Sequence, residues 1–134
     1  MAGEHSFYPG VTYRRRLTYD RPASIRVEDT LTAADFRSHD YVLHWHLAPY
    51  KRVSTSAPGS FLVETDHPGG PTMTIAVTGT DSPTCEIIIG DDDPYQGWYF
   101  DGFLQREEAA VIACSQVATD AGFTTQIVLQ PAAL

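Results

Sequence analysis

The sequence predicts an all-β protein, an antiparallel sandwich of two sheets. Three observations carry that expectation. Apolar and polar residues alternate with period two over much of the chain, as in "VTYRRRLTY" (11–19) and "TMTIAVTG" (72–79). The alternating segments are rich in β-branched and aromatic residues. Turn signals such as "YDRP", "SAPGS", "DHPGGP", "TGTDSP", "GDDDPYQG" and "TDAG" separate them at intervals of a strand and a turn. Short strands with regular turns are the pattern of a sandwich or barrel.

In chain order, "VTYRRRLTY" sends Tyr13, Arg15 and Leu17 to one face and Arg14 and Arg16 to the other. An inward arginine implies an ion pair or an anion contact, whereas Arg14 and Arg16 fit a solvated face. "SIRVED" places Ile25, Val27 and Asp29 on one side, so Asp29 continues an apolar face and needs a partner. "TAADFRSH" (32–39) allows one helical turn capped by Thr32. "YVLHWHLAPY" (41–50) puts Leu43 and Trp45 on a dry face and His44 with His46 on the other. "SFLVET", "TCEIIIG", "AAVIACSQVA" and "FTTQIVLQ" complete the strands, and "FLQREEAAVIA" is expected to be strand despite its helix formers. Ile25, Val27, Leu43, Trp45, Ile75, Ile87, Ile89, Val111 and Ile127 are the expected core.

The 134 residues fit a single domain spanning 1–134, and 43% hydrophobic content supports a real core. No run approaches a membrane span. "MAGEHSFYPG" lacks an apolar run after a basic start, which predicts no secretory signal in this chain and leaves a cytoplasmic protein or a piece of a longer cytoplasmic or periplasmic one. Net charge is −8, yet eight of nine basic residues lie in 1–52, and residues 53–134 hold Arg106 against eleven acids. The first part can face a polyanion and the second repels one. Nucleic acid is excluded as a partner by the low isoelectric point and by the lack of a binding motif. Cys85 and Cys114 sit in different apolar segments and read as two buried free thiols, with a disulfide left open.

Three constellations bear on chemistry. Asp29 with His46 offers carboxylate oxygen and imidazole nitrogen, half of a zinc site, against the plainer reading of local hydrogen bonds. "YRRR" (13–16) offers arginines for an anion. "GDDDPYQGWYFDG" has three successive aspartates but not the alternating ligands of a calcium loop, so it reads as a solvated turn followed by a strand anchored by Trp98.

Taken in order, the segments resemble the C-terminal β-sandwich domain of heparinase II/III-like polysaccharide lyases. "EHSFYPGVTYRRRLTYDRPASIRVEDTL" is similar to its opening, where a His-Arg strand precedes a strand ending Val-x-Asp. "YVLHWHLAP" resembles its His-Leu-x-Pro segment, "GDDDPYQGWYFDGFLQREEAAVI" its Gly-Trp-Tyr segment and "FTTQIVLQP" its closing strand. The resemblance covers nearly the whole chain. It implies β-elimination on acidic, uronic-acid polysaccharide, with most of the machinery in an α/α toroid that these 134 residues do not contain. It implies a domain not catalytically complete alone, or alternatively a non-catalytic module binding carbohydrate or protein. For that alternative the basic first half and exposed aromatics such as Tyr8, Tyr13 and Tyr50 make His5, Tyr8, Tyr13 and Arg15 the expected carbohydrate-binding residues. Asp29 and His46 are the implied metal ligands, for zinc. Tyr13 stands where the family often has histidine, and a phenol with a pKa near 10 is a poor ligand. The expectation is therefore weak or absent zinc and a direct Asp29–His46 hydrogen bond, on neighbouring strands, which would raise the His46 pKa above that of His44.

Overall fold

The computed structural model describes residues 1–132, with the side chains of residues 5–8 outside the described set. Fourteen strands form the described chain, and it contains no helix. A seven-stranded antiparallel sheet has the order β1 (Ala2–Tyr8), β2 (Val11–Asp20), β3 (Ser24–Ala33), β14 (Ala121–Gln130), β7 (Thr72–Gly79), β6 (Ser60–Thr65), β5 (Lys51–Ala57). A three-stranded sheet has the order β4 (His39–His46), β13 (Ala110–Ala118), β8 (Thr84–Ile89). The chain changes sheets after β3, β4, β7 and β13.

The two sheets pack face to face because each carries one dry face. Tyr41, Leu43, Ile112 and Cys114 of the small sheet meet Val11, Phe61, Val63, Ile75, Val77 and Phe123 of the large one. Of the expected core, Val27, Leu43, Ile75 and Val111 are buried, and Trp45, Ile87 and Ile127 pack against the buried cluster. Ile25 is only half-buried. Ile89, expected in the core, is instead 53% exposed, at the last position of β8 where the strand ends. Among the described residues, buried side-chain polar atoms all have hydrogen-bond partners. The Trp45 indole donates to Thr125 Oγ1 across the sheets, and Gln116 donates to the carbonyl of Gly122.

Two further expectations change. Residues 34–38 form a turn and a loop, not a helical turn, since Ala33 still belongs to β3 and Phe36 takes a positive φ of 55°. Cys85 and Cys114 are joined as a disulfide, not free. The pairing of β8 with β13 sets them directly opposite each other on the inner face. Closing a loop of this separation, 29 residues, is worth about 3–4 kcal/mol by loop entropy.

The aspartate-rich segment is a turn, as expected, but it belongs to an arm. β9 (Asp91–Asp92) pairs with β10 (Tyr95–Gln96), and β11 (Trp98–Gly102) pairs with β12 (Gln105–Glu108). Gly97, at φ 78°, is the pivot. Its carbonyl accepts from the amides of Gly90 and Ala109, and a Cβ there would lie 2.6 Å from the Gly90 nitrogen. Trp98 anchors the arm by donating its indole N–H to the carbonyl of Asp91. Phe103 and Leu104, at the arm's tip, are almost fully exposed.

Candidate functional site

Adjacent strands β2 and β3 align Arg15 with Asp29 and Tyr13 with Leu31, all on the inner face. Asp29 is 2% exposed, so its carboxylate must find its partners inside the protein. Arg15 supplies two of them. Its Nε donates to Oδ1 at 2.6 Å and its Nη2 to Oδ2 at 3.0 Å, the forked geometry that a carboxylate accepts best. The Tyr13 hydroxyl donates to Oδ1 at 2.6 Å. The guanidinium also lies over the Trp45 ring, 5.2 Å from its centroid, so Arg15 reaches from one sheet to the other. Burial and the Asp29 hydrogen bond push the Tyr13 phenol up to about 12. The Asp29 hydrogen bond likewise raises the Arg15 pKa and keeps that side chain charged.

This cluster forms one wall of a cleft of about 830 Å³ between β2 and β3 on one side and the edge strand β4 on the other. Val11, Leu31, Tyr41, Leu43 and Phe123 supply its apolar part, Arg15, Asp29 and His39 its charged and polar part, and the exposed Val42 and His44 of the edge strand its rim. At the cleft's end, His39 Nε2 lies 3.0 Å from both oxygens of Asp35, and that contact lowers the Asp35 pKa. Burial, and then the neighbouring His46, lower the His44 pKa.

The expected residues are therefore divided. Tyr13, Arg15 and Asp29 are together. His46 is not with them, and the Asp29–His46 hydrogen bond is replaced by the Tyr13 and Arg15 bonds. β3 lies in the large sheet and β4 in the small one, so the two strands are not neighbours. Asp29 points inward, whereas His46 is on the outer face of β4 with Val42 and His44. Tyr13 and Arg15, expected as sugar contacts, are first of all partners of Asp29. His5 and Tyr8 have side chains outside the described residues. Arg14 and Arg16 are exposed, as their alternation predicts.

Zinc at Asp29 does not fit these residues. Both carboxylate oxygens are taken, the adjoining phenol keeps its proton, and the cation already beside the carboxylate is Arg15. Among the described residues no group of three His, Cys, Asp or Glu side chains converges on one point. Sequence reasoning missed His39, which lines the cleft, and its partner Asp35. Their i, i+4 spacing held a signal only if the intervening segment was known to turn.

The model of the family described as heparinase II/III-like, C-terminal, matches residues 1–130. The chain belongs to that family. Two solved structures are similar to this domain. One is a heparinase III gene product, 15% identical with a TM-score of 0.77, in which the match covers 96% of this chain and 19% of that one. The other is the heparan sulfate lyase HepC of Pedobacter heparinus, 11% identical with a TM-score of 0.78, and the match covers the same two shares. At such identities the likeness is one of fold. This heparinase-type sandwich thus spans about a fifth of the length of the lyases it resembles. No curated protein matches its sequence.

Proposed function

We propose that this chain is the sandwich part of a heparinase II/III-like polysaccharide lyase, working with an α/α-toroid lyase domain on acidic, uronic-acid polysaccharide. The observation that carries the reading is the family match over residues 1–130 of a chain that covers only a fifth of two lyases with the same fold. β-Elimination requires a base for the proton next to the carboxylate, an acid for the leaving oxygen, and a positive group for the developing charge. In this chain Tyr13 keeps its proton to high pH and Arg15 is paired with Asp29, so neither is a ready base. The domain supplies a wall and a cation, and the proton transfers belong to the toroid. The test is release of unsaturated uronate, read by its ultraviolet absorbance, from heparan sulfate and alginate. The isolated chain is expected to be inactive. Strong turnover by the chain alone would overturn the reading.

A second reading is a binding module without catalysis. The cleft favours it, because an apolar wall beside the partly exposed edge of Arg15 suits a sugar ring bearing a carboxylate or sulfate. Calorimetric titration with uronate oligosaccharides separates the two. Heat that fades with salt supports binding, and its absence together with no change in Tyr13 or Arg15 signals ends this reading.

A further inference from the structure

We propose that the outer face of the large sheet, around Arg14, Arg16 and Arg26, is a second polysaccharide site. It is a non-catalytic surface that holds a uronic-acid chain on the side of the sheet away from the cleft. The choice of polysaccharide rests on the lyase reading, and the surface itself on the register of β1, β2, β3 and β14.

Alternation sends Arg14 and Arg16 of β2 and Arg26 of β3 to the face opposite Arg15 and Asp29, and all three are exposed. Register sets them in successive rows. Arg14 stands beside Glu4 and Thr30, Arg16 beside Glu28, and Arg26 beside Thr18 and Gln126. Same-face residues two apart on a strand lie roughly 6.5–7 Å from each other, so the three arginine Cα positions span roughly 14 Å. That span exceeds one sugar ring and suits a chain, not a single sugar. A shallow groove of about 300 Å³ is lined by Arg14, Arg16, Glu28 and Thr30.

These three cations are uncommitted. Arg15, Arg52 and Arg106 each pair with an aspartate. Among the described residues Arg14, Arg16 and Arg26 form no ion pair, although Glu4 stands opposite Arg14 and Glu28 opposite Arg16. In a chain of net charge −8, three unpaired arginines on one face attract a polyanion that the acidic residues 53–134 repel. A guanidinium fork takes a carboxylate in bidentate fashion. Glu28 accepts from sugar hydroxyls, and the Thr30 hydroxyl both donates and accepts. The other places in these rows are small or polar: Ala2, Thr18, Gly122, Thr124 and Gln126. No large apolar side chain stands among them to anchor a protein partner, so the ligand that fits is itself charged and hydroxylated.

The test is NMR titration of the intact chain with heparan sulfate oligosaccharides, and separately with alginate oligosaccharides. The methyl signals of Thr30 and Thr124, on the outer face, should move, and the affinity they report should fall as salt is raised. Arg14→Ala and Arg16→Ala should each weaken that binding about threefold, and the double variant about tenfold, as exposed charge contacts do. Arg52→Ala should leave it unchanged, because Arg52 sits on the far edge strand and is already paired with Asp66. Movement confined to the methyls of Leu31 and Leu43, which line the cleft, overturns the outer site. So does the absence of any movement, or equally tight binding of a DNA duplex. Failure of the lyase reading has its own readout, uronate release by the chain alone.

Discussion

Two clusters in this molecule are built from the same four residue types. In one, Arg15 meets Asp29, Tyr13 and Trp45. In the other, Arg106 meets Asp92, Tyr95 and Trp98: its Nη1 donates to Asp92 at 3.0 Å and lies 3.1 Å from the Tyr95 hydroxyl, and its guanidinium sits 3.8 Å from the Trp98 centroid. The first cluster has the shorter, forked hydrogen bonds, and the second has the closer stacking of guanidinium on indole. Their surroundings differ. Asp29 is enclosed between the sheets, with a side-chain exposure of 1%, whereas Asp92 on the arm is 67% exposed. In water a charged pair exchanges one set of favourable contacts for another and gains little. Between the sheets the carboxylate has no such alternative, so the loss of a partner is felt in full. Residue type does not rank these clusters, and burial does.

Removing the buried cation should have the largest effect. Arg15→Ala leaves Asp29 enclosed without its forked donor and should destabilise the chain by about 3 kcal/mol, read as a drop in urea midpoint with unchanged slope. Asp29→Asn should cost less, about 2 kcal/mol, because Arg15 is itself partly exposed and can turn to solvent. A reversal of that order would mean that Arg15, not Asp29, is the desolvated partner. Tyr13→Phe removes one donor to a charged acceptor and should cost about 1–2 kcal/mol in the same measurement.

A smaller effect follows from pH. Between about pH 10 and about 12 the unfolded chain has lost the Tyr13 proton and the folded chain still holds it. Stability therefore falls as pH rises through that window. In Tyr13→Phe this part of the alkaline loss should vanish, and one late-titrating tyrosine should disappear from the ultraviolet titration. If all tyrosines of the folded parent ionise together near their ordinary value, the enclosed cluster is wetter than its geometry implies. At the lower end of the scale, Arg106→Ala should leave the unfolding midpoint where it is, at low and high salt alike. A clear loss there would break the comparison and show that the arm is covered in solution.

The arm also shows how surface exposure limits what sequence can say. Trp98 is legible as an anchor because a large aromatic after a glycine and a turn seeks a wall. Its partner Arg106 was not legible, since the Asp101-Gly102 turn signal does not by itself state that the hairpin closes over Phe103 and Leu104 and so brings residues 98 and 106 together. Leu104 adopts a positive φ of 60°, which sequence rules would assign to glycine or asparagine.

Period-two alternation, by itself, determined that the chain is all β, that Asp29 and Arg15 face inward and that Arg14, Arg16, His44 and His46 face outward. It did so because a pleated strand sends neighbouring side chains to opposite sides wherever the strand lies. The same rule is silent on which sheet a strand joins. Strands β3 and β4 are consecutive in the chain, and nothing local states that the link between them crosses from the large sheet to the small one. That crossing separated Asp29 from His46 and gave Asp29 to Arg15 and Tyr13. It also set the edge of β4 against β2 and β3, which opens the cleft. The pairing of β8 with β13 was equally non-local, and it brought Cys85 opposite Cys114 across an intervening arm. Partners were decided by which dry faces could cover each other, and that is a property of the folded whole.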